Sequence, residues 1–376
     1  MEEQKKKLDF KGNIWIIGLL VAVFTAFGIF MMDSAKMSEF WYNGASWTRN
    51  IGWGILGILC MAGCSFVNLE KLKKAVPYIG LLAVVSLFLL QTDLGIGVYG
   101  TVRWLDLGPV SIQSGEVAVF AYVLLLAVIS GQEWERLTRR QFLCLIWGLA
   151  AVLALFVSFF AANLNHGVVM MGIAFLLTLV LTELYTMHLV VFGAGAGAIA
   201  VSLAVLLKTA EETFRLARLK AWLNPYAYRN DRGFQAVQQL EAVKSGGWFG
   251  KGYRNSVLAE SYTGSCFDSI LSLVCEQFGW IAAALVVAAV LFLLYQIYQV
   301  LQKAFAVENR FGAALVMGVL AHIGLCAFIY MARNFNLLPN GAGMFPFVTC
   351  RGLSNMLVYC EMGLVLAVAK SSEKML

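Results

Sequence analysis

Residues 268–299 are DSILSLVCEQFGWIAAALVVAAVLFLLYQIYQ, an apolar run that directly follows an aspartate. A helix needs about 20 apolar residues to cross the roughly 30 Å of hydrocarbon in a bilayer. The run is longer than that, so it predicts a transmembrane helix whose second half has room to extend beyond the bilayer. Asp268 is then expected at a membrane boundary.

Similar apolar runs fill most of the chain. Hydrophobic residues make up 60% of the sequence, charged residues only 13%, and the mean hydropathy is +0.76. Such a composition excludes a soluble globular domain. We therefore expect an all-α, polytopic membrane protein of about ten transmembrane helices, forming a single domain over residues 1–376. The predicted spans are 13–32, 50–69, 75–92, 113–131, 142–162, 167–184, 187–207, 269–299, 313–332 and 353–369.

One long polar insertion, residues 209–268, separates the seventh and eighth predicted spans. It is rich in basic residues, and glycines interrupt its middle part, residues 233–252. A polar stretch of this length in an otherwise apolar chain predicts a large loop outside the bilayer, which makes it the first place to look for a functional site.

The positions of lysine and arginine predict the orientation. These residues cluster in short connections on the cytoplasmic side of membrane proteins. The clusters here precede the first span and follow the second, fourth and last spans, so both termini are expected in the cytoplasm and the large loop outside. The polar start, residues 1–11, also lacks the features of a cleavable signal peptide. The clusters are Lys5, Lys6, Lys7 and Lys11; Lys71, Lys73 and Lys74; Arg136, Arg139 and Arg140; and Lys370 and Lys374.

Cysteine and histidine give no metal-binding pattern. Six of the eight cysteines fall inside predicted spans, where thiols behave as small apolar groups. Cys266 and Cys350 lie near the outer face, and either a disulfide between them or two free thiols fits the sequence. The three histidines are too dispersed for a ligand set, so we predict no metal-binding residues.

Two polar segments before the fourth span carry recognisable motifs. Residues 100–108 are GTVRWLDLG and residues 113–116 are QSGE. They resemble the Gly-x-x-Arg-Trp-x-x-Leu-Gly and Gln-Pro-Ser-Glu signatures of the RodA/FtsW/SpoVE group, also called the SEDS proteins. Further matches run along the chain, at Arg49-Asn50, Asn224-Pro225, Gly233-Phe234-Gln235, residues 245–252 (SGGWFGKG), Leu337-Leu338-Pro339 and Pro346-Phe347-Val348.

The resemblance implies a peptidoglycan glycosyltransferase. Members of this family polymerise lipid-linked disaccharide-pentapeptide (lipid II) at the outer face of the bacterial plasma membrane during elongation, division or sporulation. The expected partners are that precursor, a class B penicillin-binding protein and membrane lipids, with no nucleic acid.

Asp268 is the predicted catalytic residue. The family has an essential aspartate at the base of its large outer loop, about eight residues before a glutamate in a Glu-x-x-Gly context, and Asp268, Glu276 and Gly279 match that spacing. Polymerisation requires a base that takes a proton from the attacking sugar hydroxyl, and a carboxylate can act in this way.

The departing diphosphate requires positive charge nearby, from arginine or lysine or from a divalent cation such as Mg²⁺ or Mn²⁺. Arginine is favoured because its planar fork binds two phosphate oxygens at once. Each such residue at a membrane edge has an alternative role in lipid headgroup contact. The predicted substrate-binding residues are Arg49, Arg103, Trp104, Gln113, Glu116, Asn165, Arg218, Lys244 and Glu276.

Several positions depart from the family pattern. Val119 stands where a lysine is usual, and Asn165 replaces a carboxylate. Lys244 and Arg351 are then candidates for compensating cations. Three functions remain open from the sequence: a divergent glycosyltransferase, a non-polymerising scaffold or regulator that binds the precursor or a penicillin-binding protein, and a transporter using Glu183 or Glu361.

Overall fold

The computed structural model describes residues 10–35, 46–98, 101–108, 110–132, 138–161, 164–182, 214–262, 265–341, 343–349 and 352–375. Within these residues, seven helices are long and apolar enough to cross a membrane. The predicted all-α, polytopic class is confirmed, while the predicted span 187–207 lies outside the described residues. The long helices are α1 (Lys11–Ser34), α2 (Ser46–Cys64), α3 (Leu69–Leu89), α4 (Ser114–Gln132), α5 (Arg139–Phe160), α6 (Leu164–Thr182), α11 (Ile270–Ala306), α12 (Arg310–Asn334) and α13 (Gly352–Glu373).

The boundary between α2 and α3 differs from the prediction. The second span was expected to continue to residue 69, but α2 ends at Cys64. The side chain of Asn68 caps the next helix, because its Oδ1 accepts bonds from the backbone N–H groups of Glu70 and Lys71 at 2.9 and 3.2 Å. The chain therefore turns earlier than its apolar pattern indicates.

Helices α4, α12 and α13 form the centre of the bundle, and most of their side chains are buried. Small residues allow close approach between neighbouring helices. A Cβ atom on Gly57 would lie 2.4 Å from the ring of Tyr359, and one on Gly363 would lie 2.5 Å from the carbonyl oxygen of Met61. Since lipid is as apolar as the helices, such close packing replaces the hydrophobic effect as the source of association.

A small antiparallel sheet of three strands connects α3 to α4, which the sequence did not predict. Trp104 pairs with Gln113 across the second and third strands, and the third strand leads directly into α4. The strands are β1 (Gly95–Val98), β2 (Thr101–Asp106) and β3 (Ser111–Gln113).

The described part of the large loop packs on one end of the bundle, which we call the loop face. Helices α1, α3, α5 and α12 end there, and α2, α4, α6, α11 and α13 begin there. The loop contains a 3-10 turn at Pro225–Tyr228. Its helices are α7 (Phe214–Leu223), α8 (Phe234–Gly246), α9 (Val257–Ser261) and α10 (Ser265–Asp268).

Helix α11 is broken at Gly279, where φ is +83° and ψ is 177°. The break frees backbone groups that must find other partners near a membrane. Residues 247–252 of the loop, which we call the docking turn, provide them: the N–H of Trp280 donates to the carbonyl of Gly247 at 2.9 Å. The carbonyl groups of Glu276 and Gln277 accept bonds from the N–H groups of Lys251 and Gly252, at 2.8 and 2.9 Å.

Candidate active site

Asp268 ends the short helix α10 and lies half-buried at the loop face, two residues before α11 begins. Two buried amide side chains hold its main chain. The Nε2 of Gln239 donates to the Asp268 carbonyl oxygen at 3.3 Å and to Ser269 Oγ at 2.7 Å. The Nδ2 of Asn334 donates to the same carbonyl at 3.1 Å. Helices α8 and α12 thus both bind the main chain of Asp268.

The end of α12 also fixes the first turn of α11. Tyr330 accepts a bond from the N–H of Ile270 at 2.8 Å, and Asn334 Oδ1 accepts one from the N–H of Ser272 at 3.1 Å. Both Tyr330 and Asn334 are buried. A hydrogen bond of this kind contributes about 1 kcal/mol, so several together hold the acid on a rigid support.

Close contacts with the start of α11 explain two glycines of the predicted glycine-rich stretch. A Cβ on Gly246 would lie 1.8 Å from the carbonyl oxygen of Cys275, and one on Gly250 would lie 2.2 Å from that of Gln277. Gly250 also has a φ of +80°, which larger residues rarely adopt. The loop backbone therefore packs directly on the start of α11, close to the acid in sequence.

The structure gives Glu276 a different role from the predicted one. It was predicted to bind substrate, but its side chain is only 1% exposed and four protein groups donate to its carboxylate. A buried carboxylate with that many partners is bound to the protein itself, so we assign Glu276 a structural role at the start of α9. The donors are Lys251 Nζ at 2.8 Å, Ser256 Oγ at 2.5 Å, Val257 N at 3.1 Å and Leu258 N at 3.2 Å.

A second polar group assembles where α4 and α6 begin. Gln113 is buried at the end of β3, and Glu116 is half-buried in the first turn of α4. Gly115 packs against His166 of α6, since a Cβ at Gly115 would lie 2.6 Å from the His166 ring. Asn165 precedes that histidine. The structure thus brings the predicted residues Gln113, Glu116 and Asn165 to one end of the bundle.

Arg103 and Trp104 lie on β2 beside this group. Both are half-buried, and Trp104 is paired with Gln113 through the sheet. The sheet is therefore what places the motif of residues 100–108 next to the first turn of α4.

Three other cationic residues that the sequence predicted as substrate-binding lie at the exposed edge, or rim, of the loop face. Arg49 is exposed in the first turn of α2. Lys244 contacts Tyr226, with its Nζ 3.4 Å from the hydroxyl and 5.5 Å from the ring centre. Arg218 lies on α7, where partial desolvation and repulsion from Arg232 lower the pKa of its guanidinium. Lys244 is thus held at Tyr226, which does not support its predicted compensating role beside Glu116.

Three further residues of this region carry no motif in the sequence: Gln239, Arg333 and Asn334. Arg333 is in the last turn of α12, and its Nη2 donates to Asn165 Oδ1 at 3.1 Å. A cation beside the end of an apolar span was a usable signal, because charged residues at such positions are uncommon and usually functional.

Other sequence expectations lie away from this region or outside the described residues. Glu361, a transporter candidate, is buried in α13 with its carboxylate 2.9 Å from His322 Nδ1. Cys266 is a buried thiol, whereas Cys350, Arg351 and Glu183 lie outside the described residues. Among the residues that the structure describes, no group of three or more His, Cys, Asp or Glu could hold a metal ion.

Comparisons with known proteins agree with this architecture. The family model described as "Cell cycle protein" (FTSW_RODA_SPOVE) matches residues 14–374. A relative from Saccharophagus degradans, named "Probable peptidoglycan glycosyltransferase FtsW", is 29% identical over 374 residues, covering 94% of this chain and 90% of the relative.

Two solved structures share the fold. One, described as structural coordination of polymerization and crosslinking by a peptidoglycan synthase complex, contains a chain with a TM-score of 0.74 at 18% identity, covering 95% of this chain and 98% of that chain. The other is the rod shape determining protein RodA of Thermus thermophilus, with a TM-score of 0.65 at 20% identity, covering 95% of this chain and 96% of RodA. With the family model matching nearly the whole sequence, this chain belongs to the FtsW/RodA/SpoVE family.

Proposed function

We propose that this protein is a peptidoglycan glycosyltransferase that polymerises lipid-linked disaccharide-pentapeptide. The observation that carries the proposal is Asp268, which a buried amide pair holds at the base of the large loop. A relative named as a probable peptidoglycan glycosyltransferase supports the same reaction. Positive-inside charges support a location in the bacterial plasma membrane with both termini in the cytoplasm, so that the loop face is extracytoplasmic.

Asp268 acts as the general base in this proposal. Its carboxylate accepts the proton of the acceptor sugar hydroxyl while that oxygen attacks the anomeric carbon of the donor. The bond between the anomeric carbon and the diphosphate oxygen breaks, and the lipid diphosphate leaves with the electron pair. A support that fixes the acid in place lowers the barrier, because the reacting groups need little further alignment.

Other groups at the loop face would bind the substrate. Gln113, Glu116, Asn165, Arg103 and Trp104 surround the start of α4 and α6, where sugar hydroxyl and amide groups would find donors and acceptors. Arg49, Arg218 and Lys244 at the rim are suited to meeting the anionic headgroup first, by long-range attraction. A divalent cation, Mg²⁺ or Mn²⁺, carried by the diphosphate remains part of the proposal.

The partners are proposed from the same resemblance. A class B penicillin-binding protein would cross-link the strands that this enzyme makes, and membrane lipids surround the bundle. The structure described as a peptidoglycan synthase complex is consistent with assembly of this kind. Nucleic acid has no part in the proposal.

The test is polymerisation of lipid-linked precursor by the purified protein, with and without the penicillin-binding protein. Asp268→Asn keeps the size of the side chain but removes the base, so we expect kcat to fall by about 10²–10⁴-fold. Asp231→Asn, an exposed aspartate of the same loop, is the matched control and should match wild type.

Glycan strands from Asp268→Asn at the wild-type rate would contradict the catalytic role. Strands from neither protein, with retained precursor binding, would instead favour a scaffold or regulator.

A further inference from the structure

Arg333 and Asn334 are consecutive residues at the end of α12 that reach in different directions. Asn334 holds the main chain of Asp268. Arg333 reaches Asn165 at 3.1 Å and the carbonyl oxygen of Gly341 at 3.5 Å. One helix end therefore connects the proposed base to the polar group at the start of α4 and α6.

Two glycines line the Arg333 guanidinium. A Cβ on Gly343 would lie 3.2 Å from its Nη1, and one on Gly341 would lie 3.7 Å from its Cζ. The first distance is tighter than ordinary contact, so a side chain at Gly343 would crowd the guanidinium. The glycines leave space beside a half-buried cation at the loop face.

We propose that Arg333 binds the diphosphate of the lipid-linked donor, which makes it a substrate-binding residue of the same active site. This inference rests on the proposed glycosyltransferase function. As the bond between the anomeric carbon and the diphosphate oxygen breaks, that oxygen takes the electron pair, and the guanidinium stabilises the charge that develops there. The proton of the attacking hydroxyl passes to Asp268, so the two residues serve opposite sides of one transfer.

The chemistry of arginine and the neutral character of its described contacts favour Arg333. Its fork can bind two phosphate oxygens while its charge persists at every physiological pH. Its two described contacts are with neutral groups, the Asn165 amide and the Gly341 carbonyl, whereas Lys251 binds Glu276 at 2.8 Å and Arg254 binds Asp33 at 2.9 Å.

A purely structural role makes a different prediction. A cation in the last turn of a helix is stabilised by the helix dipole. Arg333 would then affect the stability of α12 but would not distinguish a charged ligand from a neutral one. Ligand charge is therefore the variable that separates the two roles.

The experiment measures binding of polyprenyl diphosphate and of the uncharged polyprenol to the full-length protein in detergent. The variants are Arg333→Met, Arg333→Lys and the control Arg229→Met, an exposed arginine of the loop. We expect Arg333→Met to weaken diphosphate binding by about tenfold or more, since charge-assisted hydrogen bonds are the stronger kind. Polyprenol binding should not change, Arg333→Lys should restore part of the loss, and Arg229→Met should match wild type.

Polymerisation by the same samples separates this inference from the function on which it rests. If wild type polymerises and Arg333→Met binds the diphosphate as tightly as wild type, Arg333 is not the diphosphate ligand. If wild type makes no strands but binds the diphosphate in a manner that depends on Arg333, the proposed function fails and the binding site stands. Absence of both activities in folded wild-type protein would overturn both.

Discussion

At the scale of single residues, Asn334 fixes much of the geometry of the candidate active site. Its side chain donates to the Asp268 carbonyl oxygen and accepts from Ser272, so one buried amide fixes the chain on both sides of Ser269. Asp268 itself was predictable from its place at the end of the loop and its spacing to Glu276. Its supports were not, because Gln239 and Asn334 are 29 and 66 residues away in sequence.

We predict that Asn334→Ala lowers kcat by about 10–100-fold, because a small displacement of a catalytic group is enough for such a loss. The control is Asn309→Ala, at the opposite end of the same helix, where the side chain caps α12 and donates to Ser372 at 2.9 Å. That variant should lose about 1 kcal/mol of stability with little change in kcat. Steady-state polymerisation and thermal unfolding in detergent measure the two effects, and an equal fall of kcat in both variants would contradict the positioning role.

Glu276 shows where residue-scale inference from a motif fails. The family spacing singled out the glutamate, and a carboxylate near a candidate catalytic acid is a reasonable substrate ligand. Only the fold reveals that Lys251, Ser256 and the start of α9 surround it. A motif identifies which residues matter without stating whether they contact the ligand or the protein.

At the scale of elements, the central interaction is between the docking turn and the break in α11. The apolar run of residues 268–299 predicted one helix, and periodicity cannot show an interruption at a single glycine. The break depends on partners in the loop, because the N–H of Trp280 and the carbonyl of Glu276 are both satisfied by the docking turn. The two elements therefore satisfy each other's backbone hydrogen bonds.

We predict that Gly246→Ala detaches the docking turn. The added methyl group would lie 1.8 Å from a backbone carbonyl oxygen, which cannot move aside without moving α11. Limited proteolysis of the loop should become faster and polymerisation should fall. Gly148→Ala in α5 is the control, since nothing lies within 4 Å of the new methyl group there.

Proteolysis at the wild-type rate in Gly246→Ala would show that the packing of the turn is looser than described. A comparable effect of Gly148→Ala would show that the assay reports general helix stability instead.

At the scale of the whole molecule, the loop also joins the first helix to the second half of the chain. Arg254 binds Asp33 at 2.9 Å across a separation of 221 residues, and Phe30 stacks on Tyr253 with ring centres 5.2 Å apart. Composition and apolar runs were sufficient to predict a polytopic bundle and most of its spans. They could not predict which helices are central, because α3 and α13 are similarly apolar although α13 is mostly buried and α3 is mostly not.

Orientation is a prediction that belongs to this scale. An epitope tag inserted after Asn230, in an exposed part of the loop, should be cleaved by protease added to spheroplasts, whereas a C-terminal tag should be protected. The physical reason is the cluster of lysine and arginine in the short connections of the opposite side. The reverse pattern would place Asp268 in the cytoplasm and remove the proposed reaction from its substrate.

The break at Gly279 has a consequence for bilayers of different thickness. An unbroken helix as long as α11 would extend about 55 Å, and matching it to a hydrocarbon layer of about 30 Å would require strong tilt or local distortion of the lipid. With the break, the part from Trp280 to Ala306 extends about 40 Å and can tilt to follow a thicker or thinner membrane. The short part that follows Asp268 is bound to α12 and the docking turn. We therefore expect hydrophobic mismatch to be accommodated by tilt of the bundle beyond the glycine, with little displacement of the candidate site.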